Sequence, residues 1–266
     1  MPDYTLSVLY SGSTGNSTLI KIGSINILID AGKSARSLCS ALKEAGSCIE
    51  DIDAIFITHE HTDHISALNV ISKKHKIPIH TVNLCADRIL NCACSNLFSN
   101  LCIHPPIYSE IITKGTDTVT VSSFATPHDS MASVGYKINF QCGNGTYCSI
   151  GYATDIGHIT PEIKSELLCC ETVVLESNHD ENMLIKGCYP FELKKRILSQ
   201  YGHLSNTDCA DFALELIKSG TKNIILAHLS EENNTPNLAF NETYNKIKDT
   251  NGVALYVASP CNITTV

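Results

Sequence analysis

Thr58-His59-Glu60-His61-Thr62-Asp63-His64 follows directly on an apolar run, Ile52 to Ile57, and precedes another that starts at Ile65. The first run reads as a buried strand, and the spacing of the second predicts a helix from Ile65 to about His75. A strand thus delivers the chain into a polar loop and a helix carries it out. Three imidazoles and a carboxylate in so short a stretch are costly to hold together unless something binds them. Neutral imidazole and carboxylate are ligands for zinc and similar divalent ions. His59 and His61 can point at one centre, with Asp63 and His64 close enough to serve a second. A solvated loop, or a helix start capped by Asp63, is the plainer alternative, but the density of the cluster favours metal.

One such stretch cannot close two sites, so further ligands must lie downstream. His128 follows the strand candidate Val119 to Phe124, in Thr126-Pro127-His128-Asp129. Asp155 follows a strand in Ala153-Thr154-Asp155-Ile156-Gly157, and His228 follows the strand candidate Asn223 to Ala227. Each sits just past the C-terminal end of an apolar strand, where α/β sheets place their sites.

The rest of the chain fits one domain over residues 1–266 with strands inside and helices outside. Thr5 to Tyr10, Ser17 to Ile22, Ile25 to Ile29 and Ile77 to Thr81 read as strands. So do a run from Ile107, Ser133 to Phe140, Thr146 to Ile150, Thr172 to Leu175 and Val253 to Val257. Helices are expected over Ser34 to Ala45, with Ser34 as cap and Gly46 as stop, and over Pro190 to Gln200, Asn206 to Ser219 and Asn237 to Asp249. Gly143-Asn144-Gly145 supplies a turn. Leu84 to Ile103 resists assignment.

Of the 266 residues, 43% are hydrophobic and 17% charged, which excludes a disordered chain. No apolar run approaches a membrane span, so no membrane partner is expected. The N-terminus lacks a basic region and does not read as a secretory signal. The 13 cysteines are odd in number and scattered, so free thiols in a cytoplasmic protein are the expectation. A formal charge of −8 argues against coating nucleic acid non-specifically, though not against a small, locally positive site.

Taken together, these stretches resemble the metallo-β-lactamase-fold hydrolases, and more closely the bacterial YycJ (WalJ, VicX) group. The likeness runs through Ser11-Gly12-Ser13-Thr14-Gly15-Asn16, Leu28-Ile29-Asp30-Ala31-Gly32, Thr58 to His64, Thr126 to Asp129 and Thr154 to Gly157. It continues through Leu175-Glu176-Ser177-Asn178-His179-Asp180, Gly202-His203-Leu204-Ser205-Asn206 and Ala227-His228-Leu229-Ser230. The resemblance implies an α/β fold, an αββα sandwich with metals at one edge. It implies two divalent ions, held by His59, His61 and His128 and by Asp63, His64 and His228, with Asp155 between them. Zinc suits histidine-rich ligation; manganese or iron also accepts mixed nitrogen and oxygen donors.

Lactams, thioesters and phosphodiesters are all cleaved on this fold, so the fold alone does not choose. A complete second site suits phosphodiesters, with water held between two cations, anchored by Asp155 and oriented by Asp63. Glu176 and His203 resemble a Glu–His pair that assists the leaving oxygen in the tRNase Z and PhnP branches; a strand-end carboxylate and a loop histidine would look the same. Lys194-Lys195-Arg196 is either a phosphate contact or a solvated helix face. The resemblance implies a DNA exonuclease acting from the 5′ end; no obligate protein partner is inferred. A cyclic phosphodiesterase, a thioesterase and a non-catalytic protein linked to two-component signalling stay open. A secreted lactamase is the weakest reading.

Ser13 and Asn16, in a glycine-containing loop able to approach an anion, are candidate substrate contacts, as are His179, Ser205 and Asn206 in the subfamily stretches. His75, His80, His104 and His158 read as structural. A Cys92, Cys94, Cys102 and His104 site is discounted on spacing.

Overall fold

The computed structural model describes residues 4–91, 99–143 and 145–266. Strands β1 (Tyr4–Tyr10), β2 (Ser17–Ile22) and β3 (Ile25–Ile29) lead into helix α1 (Ala35–Glu44) and strand β4 (Ala54–Phe56). Helices α2 (Thr62–Ile65) and α3 (Leu68–Lys74), strand β5 (Ile79–Val82), helix α4 (Asn83–Asn91) and strand β6 (Leu101–His104) complete the first half. Strands β7 (Ser109–Lys114), β8 (Asp117–Thr126), β9 (Ser133–Gln141) and β10 (Tyr147–Ala153) follow in succession, then α5 (Pro161–Leu167) and β11 (Thr172–Glu176). Helices α6 (Glu181–Lys186), α7 (Phe191–Ile197) and α8 (Asn206–Lys218), β12 (Asn223–Ala227), α9 (Pro236–Ile247), β13 (Ala254–Val257) and β14 (Thr264–Thr265) close the chain.

Two mixed sheets result, ordered β14-β1-β2-β3-β4-β5-β6 and β13-β12-β11-β10-β9-β8-β7. β3 to β6 run parallel, as do β10 to β13, so their C-terminal ends share one edge. Side chains of Leu6, Ile20, Leu28 and Phe56 meet Val121, Tyr136, Ile138 and Val174 in an apolar layer between the sheets. A second layer joins Leu175, Ile224 and Leu226 to Ile163, Leu167, Phe212 and Leu216 of α5 and α8. Strand β8 shows why the chain alternates here: Val119 and Val121 are buried while Thr118, Thr120 and Ser122 are not. Among the described residues no helix is long and apolar enough to cross a membrane.

The helix expected from Ile65 to His75 is replaced by two shorter ones. The break has a definite cause. Ala31 donates its N–H to His64 O (2.8 Å), and Ala67 donates to Ala31 O (2.9 Å). Backbone groups needed for a continuous helix are spent on the β3–α1 loop. As a result Asp63 and His64 lie on a helical turn rather than in an open loop. Helices α5 and α6 were not expected, although Thr160-Pro161 and Asp180 cap them in the ordinary way. The cysteine expectation needs correction: Cys142 and Cys148 form a disulfide across the β9–β10 turn, their Cα atoms 6.5 Å apart. Turn residue Asn144, along with Cys92 and Cys94, lies outside the described residues.

Gly32 fastens three loops together. Gly32 N–H donates to Asn16 O (2.9 Å) and Asn16 N–H to Asp63 O (2.8 Å). A Cβ on Gly32 would stand 1.5 Å from Asp63 O, which is rigid backbone. Gly32→Ala should therefore lower unfolding free energy by about 2 kcal/mol or more, read from denaturant melts. Unchanged stability would show that the loops do not close on this residue.

Candidate metal centre

The loops at the C-terminal edge bring seven histidine and aspartate side chains together from both sheets. Ligand atoms of His59, His61 and His128 lie within 4.8 Å of one another, as do those of Asp63, His64 and His228. Asp155 stands between the groups. Its Oδ1 is 3.7 Å from His128 Nε2 and 3.5 Å from His228 Nε2, while its Oδ2 is 3.4 Å from His64 Nε2.

Hydrogen bonds behind the cluster fix which nitrogen faces inward. His64 Nδ1–H donates to Asp30 Oδ2 (2.8 Å), His128 Nδ1–H to Gly202 O (3.2 Å) and His228 Nδ1–H to Glu176 Oε1 (3.0 Å). Each bond leaves Nε2 with its lone pair toward the centre, the arrangement of metal-bound histidines. Asp30 also accepts from Thr58 N–H (2.8 Å) and Thr58 Oγ1–H (2.9 Å), so one buried carboxylate orients both His64 and the start of the ligand loop. Asp30, Asp155 and His228 hold φ angles of 60°, 57° and 56°. Left-handed backbone at non-glycine residues is unfavourable and collects at functional sites.

Two observations test whether cations fit. Buried Asp155 Oδ2 and His228 Nε2 have no hydrogen-bond partner, so each is a desolvated polar atom awaiting one. The charges agree. Burial opposes a positive charge on His228, yet Asp155, Asp63 and Glu176 push its pKa up to about 10. That field favours a cation at Nε2. Burial and the neighbouring imidazoles instead hold His59 well below its ordinary value, neutral and ready to ligate. The residues fit divalent ions on both counts.

Glu176 and His203 complete the edge. Burial would raise the Glu176 pKa, but the imidazoles of His203 and His228 hold it well below the usual range. Its Oε1 accepts from His203 Nδ1–H (2.7 Å) as well as His228, and its Oε2 accepts from Ile156 N–H (2.7 Å). His203 lies beside both ligand groups, its ring centroid 5.1 Å from that of His128 and 5.3 Å from that of His228. Its side chain is 21% exposed, so the ring reaches the solvent side of the cluster.

Several expected substrate contacts lie elsewhere. Asn16 is buried; its amide donates to Asp63 Oδ2 (3.1 Å) and stands 3.0 Å from His64 Nε2, supporting ligands rather than facing substrate. Ser205 caps α8, its Oγ accepting from Asp208 N–H (3.1 Å). Asn206 Oδ1 accepts from Ser177 Oγ–H (2.7 Å) and from the Asn234 amide (2.8 Å). His179 is 1% exposed and neither ring nitrogen has a partner. These four are interior residues; capping and buried hydrogen bonds take up the polar groups of Asn16, Ser205 and Asn206, which look available in sequence. Ser13 alone is exposed, on the loop after β1. Lys194 is spent on Ile185 O and Gly187 O, and Arg196 pairs with Asp129.

Glu60 went unnoticed between its histidine neighbours. It is buried, its Oε1 accepting from Met131 N–H (2.9 Å) and its Oε2 from the Cys85 thiol (3.0 Å), so it ties the ligand loop to the His128 loop and to α4. A separate group, His80, His104 and Glu110, also gathers donor atoms. There His80 Nδ1 and His104 Nε2 stand 3.0 Å apart in rings 13° from parallel with centroids 5.2 Å apart. At that separation the two imidazoles can share a hydrogen bond.

The chain is similar to known proteins in sequence and fold. Residues 25–229 match the family described as "Beta-lactamase superfamily domain". The chain is 36% identical over 234 residues to "Exodeoxyribonuclease YycJ" of Bacillus anthracis, covering 88% of this chain and 85% of that one. It is 32% identical over 244 residues to "Exodeoxyribonuclease WalJ" of Streptococcus pneumoniae serotype 2, covering 92% and 88%. Among solved structures, the metallo-β-lactamase-fold protein YhfI of Bacillus subtilis superposes with a TM-score of 0.69 at 16% identity, covering 99% of each chain. The fold and site define a metal-dependent hydrolase of the metallo-β-lactamase fold. Within that superfamily the chain belongs to the YycJ/WalJ group.

Adding divalent ion to metal-stripped protein should stabilise it by about 2.7 kcal/mol at a hundredfold excess over Kd, seen as a higher melting temperature. Asp155→Asn should shift that titration to at least tenfold higher concentration. Identical titrations for both proteins would place the ion elsewhere.

Proposed function

We propose that this protein is an exodeoxyribonuclease that hydrolyses DNA phosphodiesters from the 5′ end, using two divalent ions. The observation that carries this reading is the bond between His203 and buried Glu176, set beside both ligand groups (2.7 Å). Lactam opening has no use for that pair, whereas a departing alkoxide needs a proton. The names of the YycJ and WalJ relatives point the same way.

When bound, the cations supply Lewis acidity, polarising phosphoryl oxygens and lowering the pKa of water. The chain's own groups do the rest. Asp155 spans the two ligand sets and fixes their spacing. Asp63, with a side chain 23% exposed, is the carboxylate best placed to accept a hydrogen bond from an incoming water. Burial opposes a charge on His203, but Glu176 raises its pKa above the ordinary value. With Nδ1 committed to Glu176, Nε2 is left to carry a proton toward the leaving oxygen. Glu176 keeps the tautomer fixed and, through His228, links the leaving-group side to the ligands.

The test uses two leaving groups. His203→Ala should lower kcat on an oligonucleotide by about 10²–10⁴, but should slow bis(p-nitrophenyl) phosphate much less, because nitrophenolate departs without a proton. Equal losses on both would remove His203 from proton transfer. Duplexes labelled at either 5′ or 3′ termini read the polarity: early release of labelled mononucleotide from the 5′ end supports the proposal, and early release from the 3′ end reverses it.

A further inference from the structure

A cleft of about 530 Å³ opens beside the metal centre, between the ligand loop, α3, α4 and α7. That volume lies in the range of small-ligand sites, about 300–1,000 Å³. One wall carries Ile65, with Leu68 and Ile89 buried behind it; His61 and Asp63 form the side facing the centre; Arg88 and Arg196 stand at its margin. We infer that this cleft seats the terminal nucleotide of the DNA strand, with its base against the apolar wall and its phosphates met by the two arginines. The inference rests on the nuclease reading and specifies how that substrate is held.

Charge gives the first reason. A protein of net charge −8 must gain affinity for a polyanion from a few well-placed cations. Lys194 is spent on backbone carbonyls. Arg88 is exposed and Arg196 uses one N–H on Asp129, leaving others of its five free. Guanidinium groups match phosphate with paired donors.

Position gives the second. The Cys85 thiol donates to Glu60 Oε2 (3.0 Å), and Glu60 sits between ligands His59 and His61. Arg88 follows Cys85 by one helical turn, so α4 presents it at a fixed distance from the ligand loop. Ile89, 2% exposed, packs beneath and holds the helix in place. A base can lie against an apolar side chain without sequence readout, as an exonuclease requires.

The experiment measures KM and kcat of wild type, Arg88→Glu and Arg88→Lys on a single-stranded oligonucleotide across a salt series. Arg88→Glu should raise KM at least tenfold with kcat within threefold. It should also flatten the dependence of log KM on log salt by about 0.7, the slope for one lost contact with single-stranded DNA. Arg88→Lys should recover most of the KM. Deoxythymidine monophosphate should inhibit wild type competitively and Arg88→Glu at least tenfold more weakly. If wild type cleaves DNA and Arg88→Glu shows the same KM and salt slope, the cleft assignment is wrong and the nuclease reading stands. If wild type turns over bis(p-nitrophenyl) phosphate but no DNA, the nuclease reading falls and the assignment with it.

Discussion

Asp155 carries a negative charge to a place that is 2% exposed, on left-handed backbone, with one oxygen that meets no donor. Nothing in an apolar interior tolerates such a group unless positive charge meets it. The surroundings are built to that end. Three imidazoles approach Asp155 within 3.4 to 3.7 Å, each turned by a bond to a group behind it. Those groups come from three separate places: the loop after β3 (Asp30), the end of β11 (Glu176) and the loop before α8 (the Gly202 carbonyl). The sandwich brings them together because its parallel strands end at one edge. Fold and site are therefore one constraint: the sheets set the loops, and the loops supply charges that only a cation balances.

Glu176 extends that constraint to chemistry. One oxygen holds both His228, in the ligand set, and His203, on the open side. A change at His203 is therefore felt at His228 across a single carboxylate. Such sharing explains why the residue is wholly buried and why its other oxygen is also bonded. An oxygen free to rotate would give up the tautomer of both imidazoles. Glu60 does similar work on the opposite flank, where it sets α4 against the ligand loop.

The fold was legible in sequence where local pattern and tertiary demand agree. β2 and β3 match the expected Ser17 to Ile22 and Ile25 to Ile29, because short β-branched, apolar runs and flanking glycine or serine already delimit them. The expected helix after the histidine loop failed because Ala31 takes hydrogen bonds that the helix needed, a contact no local window contains. In the site, Thr58 to His64 could be read because its donors are contiguous, and His128, Asp155 and His228 because each ends a strand. Asp30 behind His64 could not, since an aspartate after a strand looks like any other. Asn16, Ser205 and Asn206 misled for the converse reason: small polar residues near a motif resemble binding groups until caps and buried networks are seen to use them. Arg88 gave no signal at all, because α4 lies in the stretch that resisted assignment.

The measurement that bears most directly on this account is anomalous diffraction from crystals of the metal-loaded protein. It should show two peaks, about 3.5–4 Å apart, one among His59, His61 and His128, the other among Asp63, His64 and His228, with Asp155 reaching both. A single peak, or ions bound away from Asp155, would contradict it.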